Sequence, residues 1–234
     1  QSTSKIPDAD SIPVADLWAR MRTGFDLPSV DPETVSDHID KYLKHPHLFT
    51  QLLQRGEPYL FHILNRLEQD GMPAELALLP IVESAFDPFA TSPTGAAGIW
   101  QFMPATATYL GLNQDGWYDG RRDVIASTEA ALDYLGKLHK RFNGDWYLAL
   151  ASYNAGGARV QRAIRKNRET GKPVDFWHLA LPAETRSSIP KLIALRTIIE
   201  NPHDYNVSLP YLSDTRYFNT VDIQGQLDLK VAAR

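Results

Sequence analysis

The feature that most constrains this chain is a run of helix signals between residues 123 and 156, where caps, apolar stripes and stops follow one another without a gap. Asp123 can accept the free N–H groups of a first turn. Val124, Thr128, Ala131, Leu135, Leu138 and Phe142 then step by fours and threes down one helical face, and Gly144 ends the helix. Asp145 caps a second helix through Ala155, apolar on nearly every side (Trp146, Leu148, Ala149, Leu150, Ala151). A helix without a polar face belongs at the centre of a core.

The rest of the chain supplies helices to surround it. Asp31-Pro32-Glu33 reads as an N-cap, a proline at the first helical position and an acid in the first turn. Leu48, Leu52, Leu60, Ile63, Leu64 and Leu67 predict amphipathic helix up to Gly71, with a kink or break near Pro58. Pro73 and Glu75 open a helix running to Phe86, a short one follows Pro104 and closes at Gly111, and another spans Pro190 to Glu200. The first ten residues read as loosely held. Val221, Ile223, Leu227 and Leu229 alternate with polar residues around Gly225, the pattern of short strands or an extended tail. The expectation is an all-α fold in three parts: a helical layer over residues 1–70, a catalytic domain over 71–204, and a tail over 205–234.

Composition removes several functions. Net charge is -4, so no basic field favours nucleic acid, and no nucleic-acid partner is expected. The absence of cysteine excludes disulfides, zinc–thiolate sites and a cysteine nucleophile. No apolar run approaches the roughly 18 residues of a membrane span. The chain starts at Gln1 without a signal peptide, so any export signal or lipid anchor would lie in a segment outside it.

The chemistry concentrates between Ala77 and Ala107. Glu83 follows Leu79 by four residues and Leu76 by seven, so a carboxyl group continues an apolar stripe. Burial there disfavours the charged form and raises the pKa, as a general acid near neutral pH requires. Asp87-Pro88 and Ser92-Pro93 force the chain out of helix, and Gly95 and Gly98 allow tight turns, a geometry suited to a groove floor beside the acid. The bland alternative is a solvated or capping glutamate, with Trp100, Phe102 and Met103 in the core. Asp87, Asp115, Asp119 and Asp123 read as turn and cap residues, since the last three lack the spacing of a calcium loop. His45 and His47 flank a proline and make a poor metal pair; neither metal nor cofactor is expected.

Three segments together resemble the signature of the family 1 lytic transglycosylases. They are Glu83-Ser84-Ala85-Phe86 with Ser92 and Gly98-Ile99-Trp100-Gln101-Phe102-Met103-Pro104; Ala151-Ser152-Tyr153-Asn154-Ala155-Gly156; and Glu184-Thr185 followed by Pro190-Lys191. The Leu79-Pro80-Ile81-Val82 lead-in is most similar to a membrane-bound subgroup, and the likeness covers roughly residues 30–205. One departure is Ser188, where relatives commonly carry a tyrosine.

The resemblance implies a lysozyme-like helical fold and, as partner, the glycan strands of peptidoglycan in the bacterial periplasm, acted on by a monomer. It makes Glu83 the catalytic acid. Ser92 and Gln101 are implied as polar contacts near the acid and the N-acetyl groups, and Met103 as an apolar groove lining. Tyr153 and Asn154 are implied at the site, the phenol bonding Glu83 or the sugar; its alternative is a core tyrosine satisfied locally. Glu184 either faces the cleft or caps a helix. Two rivals stand beside this reading, a goose-type-lysozyme-like muramidase using water and a glycan-binding module without activity.

Overall fold

The computed structural model of the 234-residue chain describes residues 16–219, and every helix or turn of helix among them packs into one all-α body. Helix α1 (Leu17–Thr23) is capped by Asp16, whose carboxylate accepts from the Trp18 N–H at 3.2 Å. A 3₁₀ turn at Pro32–Val35 leads into α2 (Ser36–Leu43), then α3 (Pro46–Gln54) and α4 (Glu57–Asp70). Asp31 starts the 3₁₀ turn by accepting from Glu33 N at 3.0 Å. The predicted break near Pro58 falls at Arg55-Gly56, because Pro58 needs no N–H partner in the first turn of α4.

A second 3₁₀ turn (Ala74–Leu78) runs into the short α5 (Leu79–Ser84), followed after a long loop by α6 (Pro104–Tyr109). The single helix expected from Pro73 to Phe86 is therefore divided. Pro80 lacks the N–H that a continuous α-helix would pair with Leu76, so the chain tightens before it and starts afresh. α7 (Val124–Arg141) and α8 (Trp146–Ala155) begin at the predicted caps, with Asp123 accepting from Ala126 N and Asp145 from Leu148 N, each at 2.9 Å. Tyr147 through Ser152 are buried without interruption, and α8 packs against α7 on one side.

On its other sides α8 meets α9 (Gly157–Glu169) and α10 (Ala183–Glu200). α9 was not anticipated from the sequence. Its apolar stripe is thin (Val160, Ala163, Ile164) and is completed by the buried Asn167, whose amide donates to the Pro173 and His178 carbonyls at 2.7 and 2.9 Å. α10 starts seven residues before Pro190, which lies inside the helix and does not open it. Ser188 is buried on α10.

The first helices form a layer on α10, to which α1 and α2 both pack. Its clamp is Glu75, which is 0% exposed. The carboxylate accepts from Asp26 N and Leu27 N, each at 3.0 Å, and faces Arg196 Nε at 3.3 Å. Arg196 in turn donates to the Leu27 carbonyl at 2.8 Å. The segment after Tyr205 returns over α1. Leu17 N donates to Leu212 O at 3.1 Å, Trp18 Nε1 to Pro210 O at 2.8 Å, and Asp16 and Ser213 form an antiparallel bridge. The loosely held first ten residues and the strands expected around Gly225 lie outside the described residues. No helix among the described residues is long and apolar enough to cross a membrane.

Candidate active site

α5 delivers Glu83 to the floor of a cleft and then stops abruptly. Ala85 and Phe86 follow with φ of 54° and 58°, two successive side-chain-bearing residues in the left-handed region. That conformation costs roughly 1–2 kcal/mol per residue, so surrounding contacts have to hold it. Ser84 contributes by donating its hydroxyl to Ile99 O at 3.0 Å, which ties the helix end to the loop opposite. Asp87 turns the chain by accepting from Phe89 N at 2.8 Å, the turn role its proline neighbour predicted.

The loop from Ala90 to Met103 folds back on itself through antiparallel bridges Thr91–Ala97 and Ala97–Phe102. Gly98 makes this possible, since at φ 80° a Cβ would stand 1.7 Å from the Arg121 carbonyl oxygen. Trp100 is fully buried and donates Nε1 to Thr128 at 3.0 Å, so it anchors the loop in the core as the bland reading held. Gln101, again at positive φ (50°), donates Nε2 to Gly98 O at 2.8 Å. Ser92 accepts from Ala96 N at 2.9 Å and lies 3.0 Å from the Thr94 hydroxyl. Met103 emerges 41% exposed beside them.

The C-terminal end of α8 forms the facing wall. Tyr153 donates its hydroxyl to the Trp100 carbonyl at 2.8 Å, so the phenol proton goes to the loop and not to Glu83. Its ring contacts Phe102 and Tyr134, with centroids 5.8 and 5.9 Å away. Asn154 accepts from Thr185 Oγ1 at 2.7 Å, which orients the amide and leaves its NH₂ toward the cleft.

The structure brings Glu83, Ser92, Gln101, Met103, Tyr153 and Asn154 to one cleft of about 290 Å³. It adds residues that the sequence did not single out, Tyr134 from α7 and Thr106 from α6 among them. Glu184, left open between cap and cleft, lines the cleft from the first turn of α10. Tyr134 follows the buried Ala131 by three residues on α7, and that aromatic with a hydroxyl beside the core stripe was the one available signal for it.

Glu83 is the electrostatic centre. Its Oε1 is buried and has no hydrogen-bond partner among the described residues. Burial is the main force pushing its pKa up to about 7, the nearby Glu184 carboxylate adds to it, and Lys191 and the Asn154 amide oppose it. Asn154 acts without forming a hydrogen bond of ordinary geometry to the acid. A carboxyl group in this state is shared between its acid and carboxylate forms near neutral pH, as a group that must both give and take a proton requires. No group of three or more histidines and acids suited to a metal occurs among the described residues.

Fold and cleft define the class, an all-α lysozyme-like domain with a strained helix end presenting a half-buried acid. The family described as the transglycosylase SLT domain matches residues 63–176, and the chain belongs to that family. It is 42% identical over 229 residues to the membrane-bound lytic murein transglycosylase D of Escherichia coli (strain K12), covering 97% of this chain and 51% of that protein. The chain thus spans about half the length of that relative. It is 45% identical over 149 residues to a protein of Alteromonas sp. (strain M-1) named for tributyltin chloride resistance, covering 63% of this chain and 71% of the other. Among solved structures, the lytic transglycosylase Slt of Pseudomonas aeruginosa matches 69% of this chain and 26% of its own at 22% identity, with a TM-score of 0.45.

Proposed function

We propose that this chain carries the catalytic centre of a peptidoglycan lytic transglycosylase, with Glu83 as its acid. The glycan strand lies in the cleft with the bond between N-acetylmuramic acid and N-acetylglucosamine at the Glu83 oxygen. Glu83 gives its proton to the glycosidic oxygen as the bond to the muramyl anomeric carbon breaks. The muramyl 6-hydroxyl attacks that carbon, and the Glu83 carboxylate takes the hydroxyl proton. The acid is restored, no water is consumed, and a 1,6-anhydromuramyl end is left. The nucleophile belongs to the substrate, which makes the attack intramolecular and removes the need for a second catalytic carboxylate.

The observation that carries this reading is the partnerless, buried Glu83 oxygen in a polar cleft. Ser92, the free amide oxygen of Gln101 and the Asn154 amide supply sugar contacts, while Met103, Phe102 and Tyr153 line the cleft with apolar surface. The presence of Glu184 in the same cleft favours one second reading, a muramidase in which that carboxylate holds a water. On this reading the chain works on glycan strands in the bacterial periplasm, as a monomer.

Mass spectrometry of murein digested by this chain decides between the two. The expected products carry anhydromuramyl ends. Products heavier by one water, with reducing ends, would overturn the reading, as would loss of all turnover in Glu184→Gln with intact turnover in Glu83→Gln.

A further inference from the structure

The chain is acidic overall, yet one helix is strongly basic. Arg159, Arg162, Arg165, Lys166 and Arg168 all stand exposed on α9, against a single acid, Glu169. The helix dipole explains cations in the last turn, where Lys166 and Arg168 sit. It does not explain Arg159, Arg162 and Arg165, nor the groove alongside. Gln161, Ile164, Arg165 and Arg168 share one face of α9 and form a groove of about 400 Å³ with Arg141 and the C-terminal end of α7.

Three guanidiniums (Arg141, Arg165, Arg168) rim this groove, Phe142, Leu148, Ile164 and Val174 give it an apolar floor, and no carboxylate among the described residues lines it. Arg141 is held in place by donating Nη2 to Gln161 Oε1 at 2.9 Å. Such a set of planar donors over a recessed apolar floor selects a chain that carries both carboxylates and short aliphatic groups. A bilayer surface would not reach the floor, since Phe142 and Leu148 are buried.

α9 also links the groove to the cleft. α9 starts three residues after Asn154 of the cleft, and at 1.5 Å per residue Arg168 lies roughly 18 Å along the helix from Gly156. A peptide of four or five residues, extended at about 3.3–3.6 Å each, spans a similar length. Resting on the transglycosylase reading, we propose that this groove binds the carboxylate-bearing peptide that muramic acid carries on its lactyl group, while the glycan occupies the Glu83 cleft. The groove then selects strands by their peptides, apart from the chemistry at the sugar.

The test compares initial rates on murein strands with their peptides and on strands stripped by an amidase, for the chain and for Arg165→Glu/Arg168→Glu. Direct binding of a soluble muramyl tetrapeptide is measured beside them. On peptide-bearing strands the variant is expected to raise KM about three- to tenfold with kcat unchanged, the worth of a few partly exposed ion pairs. On stripped strands it is expected to match the parent, and the tetrapeptide is expected to bind the parent more tightly than the variant. Arg165→Gln/Arg168→Gln should fall between the two, with an unchanged melting temperature. Equal losses on both substrates, or no loss on either with equal tetrapeptide binding, would overturn the proposal. So would a variant that changes only binding to phosphatidylglycerol vesicles. Absence of anhydromuramyl products from the parent, with tetrapeptide binding still lost in the variant, would overturn the transglycosylase reading and leave the groove assignment standing.

Discussion

Glu75 and Glu83 stand eight residues apart on either side of Pro80, and both bury a carboxylate oxygen, yet their surroundings put them to opposite uses. Around Glu75 the chain has closed. Two backbone N–H groups and the Arg196 guanidinium face the carboxylate, and the Asp26–Leu27 segment is held to α10 through it. Burial still pushes the Glu75 pKa up, but the hydrogen bonds and Arg196 pull the other way. Around Glu83 nothing has closed. Burial acts on an oxygen without a partner, and the Glu184 carboxylate in the same cleft sharpens the penalty. Burial alone thus says little about an acid's role; the difference lies in whether the folded chain supplies the donors or leaves them to a ligand.

That contrast breaks most visibly at Glu83. Replacing it by glutamine is expected to lower turnover of murein strands by about 10²–10⁴-fold, read from the rate of anhydromuramyl end formation, because the proton donor is gone while the shape remains. For the parent, activity should fall as pH rises through about 7, where Glu83 gives up its proton. A pH–rate profile with its alkaline limb well above that value would separate the limb from this group.

Glu75→Ala should act on stability and leave the chemistry of the folded fraction alone. It strands Arg196 and two N–H groups in the interior, at a cost of about 3–5 kcal/mol by chemical denaturation. A loss under 1 kcal/mol would mean that water replaces the carboxylate and that the clamp is not one.

Glu83→Gln carries a second, smaller effect of opposite sign. The unfolded carboxyl ionises near 4.5 while the folded one holds its proton to about 7. The group's contribution to stability is therefore present below 4.5 and lost as pH climbs to 7, on the order of 3 kcal/mol. Glutamine escapes this loss, so the variant should be more stable than the parent at pH 8 and alike at pH 4, by urea unfolding at both. Smallest is Tyr153→Phe, which removes the hydrogen bond to Trp100 O and should cost about 1 kcal/mol. A much greater fall in turnover than in stability would give the hydroxyl a part at the sugar as well.

The same pair shows what could be read from the sequence. Glu83 stood out because an acid on the stripe of Leu79 is out of place and because the Gly- and Pro-rich loop follows it. Glu75 looked like an ordinary first-turn acid, since its partners, Asp26, Leu27 and Arg196, are distant in sequence. α7 and α8 were legible because each carries its own aspartate cap, and Gly144 separates them. α9 was not, because its buried face ends in Asn167, whose partners become visible only once Pro173 and His178 fold over it. α10 was shortened in the reading because a proline usually begins a helix, and here Pro190 sits within one. Glu184 stayed open between cap and cleft, and Tyr134 carried only a faint signal, because tertiary packing is what turns both to the cleft.

The strap that lays Pro210 and Leu212 over α1, and bridges Asp16 to Ser213, makes neighbours of two points nearly two hundred residues apart. Tension applied to the chain outside these points would pass across that closure and be borne by it. The Glu83 cleft stands off this path of force, so a tug along the polypeptide can be taken up at the strap before it deforms the place where sugars are cut.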